Sequence, residues 1–270
     1  MTMEFRSGPV QYLHVKLAAS GFDEKNFAHP ALVSVRREDD KVLLVFSPED
    51  INEILRAIMD YAPNVDVLET GLYPTPGPTS GYRLKYGRLR LVCPGEGIKP
   101  LADEIVLETD FSFGSGFHPT TKLSVLLLEE LYARQPASVV FDLGTGSGVL
   151  ALCAAKLGAS RILAADIDER AVWEARKNVV RNAYQDRILV VKGTLSCARP
   201  NFFDLLLANL TIGTILTLGP SLAGVLKPKG AMILSGFTKG QVNEVAALFA
   251  GAQLRKTLVE EGWAAVWFDF

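Results

Sequence analysis

Residues 140–150 read VFDLGTGSGVL, an apolar run that breaks into alternating glycines and then turns apolar again. Gly144, Gly146 and Gly148 fall within five residues, where a strand-like stretch hands over to a helix-like one. At such a handover the first helical N–H groups are unpaired and the helix dipole is positive. Glycine there lets a ligand lie directly against the backbone. The next apolar run ends in Ala164-Ala165-Asp166-Ile167-Asp168, with Asp166 placed 22 residues after Gly144. An acid at the end of the second strand accepts hydrogen bonds from the hydroxyls of a ribose. The spacing therefore predicts a nucleoside-containing ligand.

Two such ligands compete. The dinucleotide fingerprint G-x-G-x-x-G would require a third glycine at position 149, which is Val149. The chain instead carries D-x-G-x-G-x-G from Asp142 to Gly148, and this spacing favours S-adenosylmethionine over NAD. The plain structural alternative is that the glycines serve only the turn and that Asp168 only caps the next helix. Asp142 either orients the ligand's amino group or binds backbone amides within the turn.

Upstream lies TDFSFGSGFHPTTKLSVLLLEEL, residues 109–131, whose second half predicts an amphipathic helix beginning near Pro119. Thr120 and Thr121 then sit where hydroxyls join helix N-terminal amides in holding a carboxylate. Phe111, Phe113 and Phe117 either line a transfer pocket and contact a cation through their faces or belong to the core. His118, just before the proline that starts the helix, is expected to be structural. Asn209 closes the apolar run DLLLAN, where it either orients a substrate amine or caps the following helix.

From about residue 105 these residues are carried by strand–helix alternation. ASVVFDL, RILAADI, RILVVK, DLLLAN and AMILSG are short apolar runs of the kind that form buried parallel strands. The tail changes rhythm: LRKTLV and WAAVWFDF, separated by EEG, predict an antiparallel terminal hairpin. Residues 105–270 are thus expected to form a doubly wound α/β domain whose seven-stranded, mostly parallel Rossmann-like sheet ends in that hairpin. Residues 71–104 contain the Pro/Gly-rich YPTPGPTSGY, a linker or long loop, and YRLKYGRLRLVC, a hairpin turning at Gly87. Residues 1–70 predict a small α+β domain. Its strands are QYLHVKLA, ALVSV and VLLVFS, and its helix SPEDINEILRAIMDYA starts at a Ser47–Asp50 capping box with Pro48 in the first turn.

Composition excludes several classes. A formal net charge of −2 gives no overall pull toward nucleic acid or an anionic membrane. Cys93, Cys153 and Cys197 are scattered, with no C-x-x-C pair, so neither a disulfide framework nor a zinc knuckle is expected, and no metal. The N-terminal MTMEFRSGPVQYLHVKL is too often interrupted by polar residues for a signal peptide. No stretch reaches the roughly 18 uninterrupted apolar residues of a membrane span. A cytoplasmic location is the expectation.

FGSGFHPTT resembles the FGTGTHPTT signature of the PrmA family of ribosomal-protein methyltransferases. DLGTGSG, AADID and DLLLANL follow in that family's order and approximate spacing, so the resemblance covers roughly residues 82–270. It implies S-adenosylmethionine as cofactor, held by Thr121, Gly144, Asp166 and Asn209, and a protein substrate, ribosomal protein L11 or a similar protein, methylated on lysine amines. Gly146 and Asp142 belong to the same glycine motif. The chain departs from the family in carrying Ser115 and Phe117 where threonines are usual, and in an N-terminal region shorter than the family's substrate-recognition domain. Asn209 is followed by Leu210-Thr211, unlike the Pro-Pro-Tyr of adenine and glutamine N-methyltransferases.

The implied chemistry asks little of side chains. A neutral amine attacks the methyl carbon of a sulfonium in line, so catalysis is mostly positioning and desolvation. A substrate lysine with a pKa near 10.4 must first lose its proton, which costs about 4.6 kcal/mol at pH 7. A dry pocket lowers that pKa. Asn209, offering its carbonyl to the amine, is the residue expected to orient it.

Overall fold

The computed structural model describes residues 12–24, 26–38, 40–46, 51–73, 82–94, 98–108, 116 and 118–270. The Ser47–Asp50 capping box, most of the Pro/Gly-rich stretch, and Phe111, Phe113 and Phe117 lie outside them. The chain falls into two compact units, Met1–Ser80 and Gly81–Phe270.

The first unit contains β1 (Tyr12–Ala18), β2 (Leu32–Glu38), β3 (Lys41–Phe46), α1 (Ile51–Tyr61) and β4 (Val67–Tyr73). Its antiparallel sheet has the order β2-β3-β1-β4. Strand alternation puts Leu13, Val15 and Leu17 of β1 on one face with Val42, Leu44 and Phe46 of β3, all buried. Ile54 and Ile58, four apart on α1, complete that core. Phe22 and Phe27, from the connection between β1 and β2, pack with ring centroids 5.3 Å apart and join the same cluster. The sequence predicts this small α+β arrangement, with β4 a further strand it did not predict.

The second unit opens with β5 (Tyr82–Tyr86) and β6 (Leu89–Cys93), a hairpin turning at Gly87 with φ of +57°. A two-residue strand not expected from the sequence, β7 (Ile105–Val106), adds to β6 in parallel. The hairpin packs on α2 (Pro119–Arg134), where Glu129 accepts from the backbone of Arg88 at 2.9 Å.

The remaining elements are β8 (Val139–Leu143), α3 (Val149–Leu157), β9 (Arg161–Asp166), α4 (Glu169–Arg181), β10 (Ile188–Lys192), β11 (Phe203–Asn209), α5 (Ile212–Leu218), β12 (Leu226–Thr238), α6 (Val242–Leu248), β13 (Gln253–Glu260) and β14 (Trp263–Asp269). They build a seven-stranded sheet of order β10-β9-β8-β11-β12-β14-β13. The first five strands are parallel, and β14 runs antiparallel to both of its neighbours.

Alternation along the strands feeds two cores. Val140, Leu205, Leu207, Ile233 and Trp267 join the apolar residues of α2, α3 and α4. Phe141, Leu206, Met232, Val266 and Phe268 join Ile215 of α5 and Val245 of α6. Helices therefore cover both faces, which is why the parallel strands read as unbroken apolar runs. α2 is less one-sided than its pattern suggests: ten of its residues are buried, among them Thr120, Thr121 and Ser124, because sheet, α3 and hairpin all pack on it.

From β8 the chain winds out through β9 to β10 and returns to β11 on the other side of β8. Ligands in such sheets bind at the carboxyl ends of the strands where the winding reverses. The ends of β8, β9 and β11 carry the glycine motif, Asp166 and Asn209.

Candidate active site

The glycine loop is a chain of left-handed turns. Gly144, Gly146 and Gly148 have φ of +71°, +55° and +85°, a region costly for any residue with a Cβ. Gly144 and Thr145 both donate backbone N–H groups to Ala165 O, at 2.8 and 3.0 Å, which ties the loop to the end of β9. At Gly148 an added Cβ would lie 3.3 Å from the Cβ of Ala175, so the loop also presses against α4.

Asp166 closes the opposite side. One carboxylate oxygen accepts from Gly146 N–H at 2.9 Å and the other from Asp168 N–H at 3.0 Å. Both oxygens are thereby aimed by the backbone and retain further lone pairs for hydroxyl donors. Asp168 caps α4 by accepting from Arg170 N–H at 2.9 Å, so the capping alternative holds for Asp168 and the ligand reading rests on Asp166. Between them Ile167 is 70% exposed, an apolar side chain next to Asp166 that the spacing of acids did not single out.

Asp142 has the second of its two expected roles. It is 1% exposed, and its Oδ2 accepts from the Thr145 hydroxyl at 2.6 Å and from Ala151 N–H at 3.1 Å. It pins the glycine loop to the start of α3. Burial pushes its pKa up to about 7, assisted by the charge of Asp166 and opposed by those two hydrogen bonds.

At the start of α2, His118 is the cap: its Nδ1 accepts from Thr120 N–H at 3.3 Å and lies 2.7 Å from the Thr120 hydroxyl. Its ring meets Trp263 edge-on, with centroids 4.7 Å apart. Thr121 and Lys122 N–H groups donate to His118 O at 3.0 and 3.2 Å. The first amides of α2 are thus used within the chain, and Thr121 itself is buried, with its hydroxyl turned toward Asn209. Asn209 Nδ2 donates to that hydroxyl at 3.4 Å, bringing two of the expected site residues together. Asn209 is not a helix cap, because Thr211 occupies that position before α5.

Gly236 supports Asn209 from behind. Its φ is +99°, and a Cβ there would fall 2.0 Å from Leu210 O. The missing side chain lets the residue after Asn209 cross β12, where Leu210 N–H donates to Ser235 O at 3.0 Å. The sequence marks Gly236 only as a glycine inside an apolar strand, a recognised sign of close backbone approach.

A glycine turn, an acid at the next strand end and an asparagine at the fourth strand of a sheet that ends in an antiparallel hairpin together define a Rossmann-like methyltransferase domain. Residues 85–269 match the family model described as ribosomal protein L11 methyltransferase (PrmA), and the chain belongs to that family. It is 40% identical to the ribosomal protein L11 methyltransferase of Chloroflexus aurantiacus over 62% of this chain and 59% of that one. With the Burkholderia multivorans protein of the same name it shares 33% identity, over 89% of this chain and 82% of that one. The crystal structure of ribosomal protein L11 methylase from Lactobacillus delbrueckii subsp. bulgaricus is similar with a TM-score of 0.60 and 30% identity, covering 69% of this chain and 97% of that one. The chain spans 59% and 62% of the length of the curated relatives from C. aurantiacus and Pelobacter propionicus.

Proposed function

We propose that the protein is an S-adenosylmethionine-dependent methyltransferase acting on lysine amines of a ribosomal protein, L11 in the first instance, in the cytoplasm. The observation that carries this reading is Asp166, its two oxygens fixed by Gly146 and Asp168 N–H groups at the end of β9. The donor set fits the cofactor. The Asp166 carboxylate would accept from ribose hydroxyls, the exposed Ile167 would offer an apolar surface to a base, and the Asn209 carboxamide, backed by Thr121, would meet the amino-acid end. Gly144 leaves room for the Leu210 side chain, whose Cδ2 an added Cβ would meet at 2.3 Å.

When bound, the cofactor supplies an electrophilic methyl carbon on a sulfonium. The chain's own part is then to bind, orient and exclude water. Asn209, held through Nδ2 by Thr121, is left with Oδ1 as an acceptor for an N–H of the incoming amine. That contact orients a neutral amine and disfavours its rotation away from the line of attack. Asp142 takes no part in proton transfer, being buried and bonded within the loop. The first unit, with its own core, is read as the part that presents the macromolecular substrate.

The family membership and the printed names of the relatives support a ribosomal protein as acceptor. A second reading keeps the same chemistry with a different protein acceptor, since the first unit lies outside the 85–269 family match. The test is to incubate the protein with isotope-labelled S-adenosylmethionine and purified large-subunit ribosomal proteins, then locate label by mass spectrometry. Label on lysines of L11 is the expected result. Label only on another protein selects the second reading, and no transfer to any protein in a cell extract overturns both.

A further inference from the structure

The last turns of α4 and its cap Asn182 hold both residues 106–108 and the glycine loop. Asn178 is fully buried, and its carboxamide makes three hydrogen bonds. Its Oδ1 accepts from Glu108 N–H at 2.9 Å, while Nδ2 donates to Glu108 O and to Ser147 O, each at 2.9 Å. One turn further on, Asn182 repeats half of the pattern, accepting from Val106 N–H at 2.8 Å and donating to Val106 O at 2.7 Å. Two carboxamides spaced i, i+4 thus read the edge of residues 106–108 as a neighbouring strand would. Arg181 adds an ion pair to the Glu108 side chain at 2.6 Å.

The two asparagines differ in one respect. Among the described residues, the Asn182 side chain bonds only the 106–108 strap and its own helix. Asn178 bonds the strap and, through Ser147 O, the glycine loop, whose Gly148 presses on Ala175 of the same helix. A buried carboxamide shared between two segments makes the position of each depend on the other, since freeing either leaves a buried carbonyl unpaired.

We propose that Asn178 is a positioning residue for the cofactor: it locks the glycine loop to the 106–108 strap, so that binding at the loop also steadies the strap at Glu108. This rests on the reading of the loop as an S-adenosylmethionine site. Asn178→Asp keeps the shape and the acceptor for Glu108 N–H but turns a donor into an oxygen facing two carbonyls. Asn182→Ala breaks strap bonds alone.

The experiment is calorimetric titration of S-adenosylhomocysteine into wild type, Asn178→Asp and Asn182→Ala, with hydrogen exchange of the wild type measured with and without the ligand. Expected are about tenfold weaker binding for the folded Asn178→Asp protein, and affinity within about twofold of wild type for Asn182→Ala. In wild type, ligand should slow exchange at the Glu108 amide beyond any slowing of Leu258 in the terminal hairpin, which reports global stabilisation. Wild-type affinity in Asn178→Asp, or equal losses in both variants, overturns the proposal. So does a ligand that slows Gly146 but leaves Glu108 no slower than Leu258, a readout that stands even where the Asn178 variant does not fold. Failure of wild type to bind the ligand at all is the distinct failure of the underlying site reading, and takes the proposal with it.

Discussion

Asn209 and Thr121, 88 residues apart in the chain, meet through a 3.4 Å contact between Nδ2 and Oγ1 at the carboxyl edge of the sheet. The contact is long for a hydrogen bond, so it steers the carboxamide more than it stabilises the fold. Asn209→Ala is therefore expected to lower turnover by 10-fold or more, about 1.4 kcal/mol, while weakening cofactor binding much less. Steady-state kinetics set beside calorimetry check this. Equal losses in turnover and affinity would make Asn209 a cofactor ligand only.

Gly236 should be as sensitive as Asn209 without touching any ligand. An alanine there meets Leu210 O at 2.0 Å, a backbone atom that can yield only by moving the residue after Asn209. Gly236→Ala is expected to lose roughly 1–3 kcal/mol of stability and most of the turnover. Gly251→Ala, with nothing within 4 Å of the added methyl, serves as control and should behave as wild type. Thermal melts and assays on the two variants decide it.

Asp142 predicts a pH dependence of stability. Its folded pKa of about 7 lies above the ordinary 3.8, so the folded protein binds its proton more tightly than the unfolded chain does. The stabilisation is complete below about pH 3.8 and is lost as pH rises toward 7. Asp142→Asn, which keeps an acceptor for Thr145 and Ala151, should flatten the melting temperature between pH 5 and pH 8. It should raise the value at pH 8 relative to wild type. An unchanged pH profile would show that Asp142 titrates elsewhere.

The division of labour between the two units is testable by truncation. A chain beginning at Thr79 retains every residue of the larger unit and its two cores. It should fold and bind S-adenosylmethionine about as well as the whole chain, yet lose most methylation of an intact protein acceptor. Full activity on that acceptor would refute the recognition role of the first unit.

Local signals were legible in the sequence and long-range ones were not. Short unbroken apolar runs located the strands of the larger sheet, Pro119 the start of α2, and Gly144, Gly146 and Gly148 the loop, because turn chemistry and local patterning act over a few residues. Asp168 as a cap was equally legible. Asn178 and Asn182 were invisible as strap-holders, since their partners at Glu108 and Val106 lie 70 and 76 residues away and an asparagine in a helix carries no sign of them. β7 was missed because its two residues are too few to show a period. The bonds of Asp142 within the loop needed its burial to be seen, and the exclusion of a cap role for Asn209 needed the position of Thr211. Both are properties of packing.

The most direct test of the account is calorimetric titration of S-adenosylhomocysteine and of NAD into wild type and Asp166→Ala. Gly146 and Asp168 N–H groups hold both Asp166 oxygens in place, so removing the carboxylate takes away an oriented acceptor for the ribose hydroxyls. Wild type should bind S-adenosylhomocysteine at micromolar concentration and NAD not at all. Asp166→Ala should bind S-adenosylhomocysteine more weakly by roughly 1.5–3 kcal/mol, the range for hydrogen bonds to a charged group. NAD binding by wild type, or an Asp166→Ala protein with undiminished affinity, would contradict the account.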